Sequence, residues 1–202
     1  MTDSNLALYL AVSHYINWDD NSVQNKSAQL TGHLTNDTDK AAACFHFVRD
    51  EIAHSWDFQR SPTTCRASDV LASATGYCYA KSHLLAALLR AADIPAGVCY
   101  QRLTVTNDQP PFCLHGLNAV YLRDYGWYRV DARGNKKGVN AEFSPPTERL
   151  AFPIVSSGEV DLPEIWAEPL PVITECLERH KTWRSVADNL PDIAIIPSNG
   201  ET

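Results

Sequence analysis

Between Gly76 and Ala92 the chain is apolar on almost every side, with Tyr77, Cys78, Tyr79 and Ala80 followed by Leu84, Leu85, Ala86, Ala87, Leu88, Leu89 and Ala91. Apolar residues around most of a helix circumference predict a helix at the centre of a fold, not on its surface. Asp93-Ile94-Pro95 ends it, because proline disfavours helical backbone at the residue before it. At about 100° per residue, Leu85 and Leu89 fall within about 20° of Cys78, so the thiol emerges at the end of the core-facing stripe while His83 points elsewhere.

The flanking pattern is less uniform. Residues 5–35 read as a polar, weakly patterned arm with a short helix near Leu6 to His14. A helix is predicted from Asp37-Thr38-Asp39, which supply capping side chains, through Ala41 to Val48 and Ile52, with Cys44 and Val48 facing inward together. Ala67 to Leu71 reads as a capped single turn ahead of the Cys78 helix. Beyond that helix, Val98, Tyr100 and Leu103 to Thr106 alternate as a strand, and a polar loop holding Pro110 and Pro111 follows. His115 to Leu122 and Gly126 to Asp131 predict two strands joined by Arg123-Asp124-Tyr125, a hairpin signal. With Gly126 in the bulge position of a three-residue loop, Leu122 pairs with Gly126 and Asp131 falls opposite Leu117, on the same face as His115. A loop one residue shorter or longer sends Asp131 to the other face.

From Asn140 onward the chain is rich in proline, which predicts extended segments wrapping the core and one amphipathic helix from about Pro171 to Ala187. The expected organisation is a single domain: an arm over 1–36, a core over 37–155 and a packed C-terminal extension over 156–202. There is no internal repeat.

Composition narrows the function classes. The 202 residues are 45% hydrophobic, enough for one well-buried core. Lysine plus arginine number 17 against 24 acids, a net charge of −7 with no basic run, so nucleic acid is not an expected partner. No apolar stretch approaches the roughly 20 residues needed to cross a bilayer, and no secretory leader is evident, so no membrane partner is expected either. The six cysteines are scattered with no Cys-x-x-Cys pair, which fits reduced thiols in a cytoplasm. No metal site and no cofactor are expected: Cys113 and His115 form the one close Cys/His pair, and a metal needs about three or four ligands.

The candidate chemistry is nucleophilic. A cysteine just behind a glycine at a helix mouth meets unpaired backbone N–H groups and the positive end of the helix dipole, both of which favour a thiolate. Downstream come His115 ahead of one strand and Asp131 at the close of the next. Tyr77, Tyr79 and Trp127 are candidates to line an acyl cleft, and Trp56 to donate its indole N–H to an oxyanion; core packing is the alternative role for the tyrosines and Trp127. Cys44, Cys99 and Cys176 sit in apolar contexts and read as core residues. Cys113 is a thiol two residues before His115. Gly134-Asn135-Lys136-Lys137-Gly138 reads as a solvated turn, with phosphate binding the competing interpretation.

Phe47-Val48-Arg49-Asp50-Glu51-Ile52, Ala67-Ser68-Asp69-Val70-Leu71, Gly76-Tyr77-Cys78, the Leu84 to Ala92 run, Ile94-Pro95-Ala96, His115 and Trp127-Tyr128-Arg129-Val130-Asp131 together resemble the transglutaminase-like superfamily over roughly residues 38 to 155. The resemblance implies an α+β, papain-like core in which a Cys-bearing helix packs on an antiparallel sheet carrying His and Asp. It further implies Cys78 as nucleophile, His115 as base and Asp131 as orienting carboxylate, in a single-domain bacterial-type member acting on a peptide or small amide through a thioester. Leu117 stands where many members have an aromatic residue, and Gly97 where they have arginine. Calcium sites and β-sandwich domains of animal transglutaminases have no counterpart. Arylamine N-acetyltransferases share the order of the three residues, but Ala74-Thr75-Gly76 and Ala80-Lys81-Ser82 replace their flanking motifs. A partner-binding protein without catalysis is the competing function.

Overall fold

The computed structural model describes residues 6–106 and 109–194. After a short 3₁₀ turn (Ala7–Leu10), helices α1 (Asn21–Thr31) and α2 (Asp37–Glu51) lead to a two-residue strand β1 (Ala53–His54). Helix α3 (Ala67–Ser73) and strand β2 (Thr75–Gly76) then feed the central helix α4 (Cys78–Ala91). Three long strands follow, β3 (Ala96–Thr106), β4 (Gln109–Leu122) and β5 (Gly126–Val130), then β6 (Val160–Asp161) and helices α5 (Pro171–Arg179) and α6 (Trp183–Ala187).

Helix α4 is the axis of the molecule: every residue from Cys78 to Arg90 is buried. Leu84, Leu85, Leu88 and Leu89 have essentially no exposure, and each such burial contributes about 1.5–3 kcal/mol. Helices α1, α2 and α3 pack around one side of α4, and the antiparallel sheet, ordered β5-β4-β3-β6, covers the other. Asn118 on β4 ties the two layers, donating to the carbonyls of Ser82 and Gly97 at 2.9 and 3.1 Å. The opposite face of the sheet forms a smaller cluster in which Cys99, Leu117 and Ala119 meet Trp127, Leu150 and Ile165.

Two caps fix the helices before the site. Asn36 accepts from the Asp39 N–H and starts α2, one residue ahead of the side chains expected to do so. Asp20 does the same for α1 through Ser22. Helix α1 itself lies in the stretch expected as a polar arm. Its buried positions are Val23, Ser27 and Thr31, a four-residue repeat written mostly in hydroxyls that hydrophobicity does not register. The Ser27 hydroxyl donates to the Leu88 carbonyl of α4 at 2.8 Å, and Ile16 also enters the core.

Three further expectations change. Pro110 and Pro111 lie inside β4, not in a loop; the β3–β4 ladder passes from Thr104↔Phe112 to Thr106↔Gln109 through a bulge that leaves both prolines unpaired, so their missing N–H groups break no ladder bond. The expected Pro171–Ala187 helix is two helices, because His180 turns extended and Thr182 caps a new start through the Ser185 N–H. The helix expected near Leu6 is the 3₁₀ turn.

Buried Arg90 fastens the ends of the chain to this core. Its guanidinium donates to the carbonyls of Ala11, Ala96 and Ala167, joining the N-terminal segment, the start of β3 and the C-terminal extension at one point. Among the described residues no helix is long and apolar enough to cross a membrane.

Candidate active site

The hairpin register decides the geometry of the site. Leu122 pairs with Gly126, which has φ +73°, and the ladder runs back to Asn118↔Val130, as the three-residue loop requires. One step further places Asp131 opposite Leu117, on the His115 face. His115 Nε2 lies 2.7 Å from Asp131 Oδ2, with Asp131 wholly buried and His115 nearly so. Two backbone donors complete the carboxylate: the N–H of Arg133 reaches Oδ1 and that of Ala151 reaches Oδ2, both at 3.1 Å.

Nε2 is taken by Asp131, and the Cys78 sulfur is close enough to the imidazole to favour its protonated form. Burial alone would push the imidazole towards neutrality, but the charge of Asp131 and the Cys78 sulfur outweigh it and hold the ring protonated well above the ordinary histidine range. Burial likewise opposes the Asp131 charge, yet His115 and the backbone donors keep its carboxyl below the usual carboxylate value.

Cys78 is the first residue of α4, and no side chain caps that end, which leaves first-turn N–H groups for a ligand. The sulfur accepts from the Gly116 N–H at 3.4 Å. Gly116 permits this approach: a Cβ there would lie 3.0 Å from Tyr79 Cα and 3.1 Å from its backbone nitrogen. Gly116→Ala is therefore expected to destabilise the protein by about 1–3 kcal/mol and to slow alkylation of Cys78. Thermal unfolding and timed alkylation check it, and an unchanged variant would show that the contact is not needed.

A cleft of about 500 Å³ opens over Cys78 and His115. Trp56, Tyr77 and Tyr79, singled out from the sequence, all border it. The two tyrosines are also anchored, Tyr77 through its hydroxyl to the Trp183 carbonyl and Tyr79 to the Leu114 carbonyl, so their cleft and core roles coexist. Trp127 does not border the cleft: it shares the Leu117 face but pairs with Tyr121, six residues along β4 from His115, and packs edge-on against Tyr9 and Tyr121. Cys113 borders the cleft, with its thiol pushed up to about 12 by burial and by the neighbouring Cys78. Cys44 and Cys99 are core residues as expected, while Cys176 is only part-buried.

Several lining residues carry no signal in sequence order. Phe152, Pro153 and Val155 come from the segment after β5, and Leu190 from the C-terminal extension, which reaches the site because the Leu114 N–H donates to the Pro191 carbonyl at 2.8 Å. His54 is a second buried imidazole on the cleft. It is held neutral by burial and by the charge of Arg133, and its Nδ1 has no hydrogen-bond partner. Its place follows from β1 pairing with β2, which sets His54 beside Gly76. Among the described residues no group of His, Cys, Asp and Glu side chains could hold a metal ion.

Residues 24–132, more than half of the chain, match the transglutaminase-like superfamily. The chain belongs to this superfamily. Its sheet, central helix and Cys–His–Asp order are those of the papain-like α+β fold. A Cytophaga hutchinsonii protein provisionally named a cysteine protease superposes with a TM-score of 0.53 at 23% identity, over 65% of this chain and 43% of that one. The periplasmic domain of TgpA from Pseudomonas aeruginosa superposes at 0.51 with 18% identity, over 65% of this chain and 48% of the other. The matched part is thus under half of each of these structures. No curated protein matches the chain. Membership places the protein in a cysteine-dependent enzyme family.

Proposed function

We propose that the protein is an acyl-transfer enzyme that opens an amide or peptide bond through a thioester on Cys78. The observation carrying this is that His115, bonded through Nε2 to the buried Asp131 carboxylate, shares the cleft with the Cys78 sulfur, which favours its protonated form. In this scheme the Cys78 proton resides on His115 as a thiolate–imidazolium pair, and Asp131 holds the ring in the orientation that keeps it there. The sulfur attacks the carbonyl carbon, the amide C–N bond breaks, and the imidazolium returns its proton to the leaving amine. Water or a second amine then attacks the thioester and regenerates the thiol. The Cys78 N–H is one donor to the developing oxyanion; Trp56 borders the cleft as a candidate second. Such a donor is worth about 10²–10³ in rate.

The test is iodoacetamide alkylation from pH 5 to 9, read residue by residue by peptide mass spectrometry, in wild type and His115→Ala. At pH 6 Cys78 is expected to react at least about tenfold faster than Cys44, whose thiol burial pushes up to about 12, and to lose that advantage in the variant. Screening of blocked amides follows. A Cys78 that is inert, or indifferent to His115, would hand the cleft to partner binding without catalysis.

A further inference from the structure

We infer that the Arg133–Lys136 end of the cleft is a carboxylate-binding subsite, so that the favoured substrate is a peptide with an anionic group on that side of the scissile amide. The inference rests on the proposed chemistry for the position of the scissile bond; the subsite itself does not.

Four charged side chains border the cleft besides His115: Asp57, Arg133, Lys136 and Glu159. The two acids are already satisfied by the protein. Glu159 accepts from the Thr104 N–H and hydroxyl at 2.9 and 2.7 Å and from the N–H groups of Val155 and Ser156 at 3.0 Å, which hold its carboxyl down at about 2 against the opposing effect of burial. Asp57 receives Arg133 on both oxygens, at 2.7 and 3.0 Å, and Lys136 at 2.7 Å. The two cations are not satisfied in the same way. Lys136 has three ammonium donors, one of them on Asp57, and its side chain is half exposed. Two cations against one acid leave this end with a charge of 2 − 1 = +1, in a chain whose net charge is −7. His54 beside Asp57, 3.6 Å away, is neutral and does not alter the count.

The positive end lies next to the reacting centre. The Phe152 ring sits 5.5 Å from the Arg133 guanidinium and 5.0 Å from the His115 ring, so one aromatic ring separates base and subsite. The Arg133 N–H also donates to Asp131. A carboxylate bound there can come from an aspartate or glutamate side chain or from a peptide C-terminus. The chemistry is the same, and the half-exposed Lys136 ammonium, with the Arg133 charge beside it, suits either.

Two measurements test this. The first compares iodoacetate with iodoacetamide at Cys78 at pH 7 and low salt; the reagents share a leaving group and differ in charge. The iodoacetate/iodoacetamide rate ratio is expected to fall about fivefold in Lys136→Glu, the scale of a two-charge change at a half-exposed position, and less than about twofold in Lys137→Glu, which does not border the cleft. The wild-type ratio is expected to fall as salt is added. A ratio that Lys136→Glu does not move, or that Lys137→Glu moves equally, overturns the subsite. The second measurement needs no nucleophile: calorimetric binding to Cys78→Ala of short blocked peptides carrying one glutamate, one lysine, or only a free C-terminal carboxylate. The subsite predicts that the glutamate or free-carboxylate peptide binds at least about fivefold tighter than the lysine peptide, and that Lys136→Glu removes the preference. Which of the two anionic peptides wins identifies the source of the carboxylate. Equal binding, or none, refutes the proposal. An inert Cys78 in a protein that still prefers acidic peptides would keep the subsite and end the acyl-transfer proposal.

Discussion

Asp131→Asn is expected to lower amide turnover by about 10³–10⁴-fold and to abolish the fast alkylation of Cys78 at pH 6. Three donors converge on the two oxygens of Asp131: the His115 ring, and the N–H groups of Arg133 and Ala151. Asparagine offers one oxygen and an NH₂ group, so at least one donor must face another donor. If the NH₂ faces His115, Nε2 becomes the acceptor and the ring proton moves to Nδ1, where it points at Cys78 and no base remains. If it takes the Oδ1 place instead, it faces the Arg133 N–H, and the segment carrying Arg133 is pushed away. Either way the negative charge that keeps His115 protonated is gone. A variant that retains more than about a tenth of wild-type turnover would remove Asp131 from the mechanism.

Lys81→Met is expected to change how stability depends on pH. Lys81 lies one turn along α4 from Cys78, has no exposed surface, and donates to the carbonyls of Ile52 and Arg49 at the C-terminal end of α2. Burial, and then the charge of Arg133, lower its ammonium to about 7, partly opposed by Asp131 and Asp50. Between that value and the roughly 10.5 of an unfolded chain, the unfolded state holds a proton that the folded state has lost. Stability therefore rises with pH across this window by about 1.4 kcal/mol per unit from this residue, and below pH 7 the lysine is a net burden. His115 acts in the opposite sense: its raised value contributes stability below about 6.5 that is lost as pH rises through the folded-state value. The comparison with Lys81→Met isolates the lysine. Urea midpoints from pH 7 to 9 should show wild type gaining on the variant by about 1–3 kcal/mol; parallel curves would show that Lys81 stays charged throughout.

Much of the site was legible in the chain because local rules govern it. Gly76 and Cys78 at the mouth of an apolar helix, and the loop length that pairs Leu122 with Gly126, place the thiol at the helix start and His115 against Asp131 through periodicity and register, while the roles of the three come from the family resemblance. What escaped had other causes. Helix α1 is anchored by Ser27 and Thr31, whose hydroxyls bury by bonding to backbone, and polar residues do not mark a core. Trp127 shares the face of Asp131 but stands farther along the hairpin, where Tyr9 covers it, a contact between segments 118 residues apart. Phe152, Leu190 and His54 reach the cleft through tertiary docking, for which sequence distance holds no information. Lys136 belongs to the Gly134–Gly138 stretch, which reads as an ordinary turn until Asp57 is brought alongside.

The walls of the cleft and its reacting groups have separate origins in the chain. Cys78, His115 and Asp131 stand on α4, β4 and the end of β5, all rigidly tied to the core, whereas Pro153, Val155, Glu159 and Leu190 come from later segments laid over them. Leu190 is held by the Leu114–Pro191 hydrogen bond and the Arg102–Asp192 ion pair. Substitutions there can reshape what enters without displacing the sulfur or the imidazole. Access to the cleft and the placement of its sulfur, imidazole and carboxylate are thus separable, so the last quarter of the chain can be varied while that trio stays put.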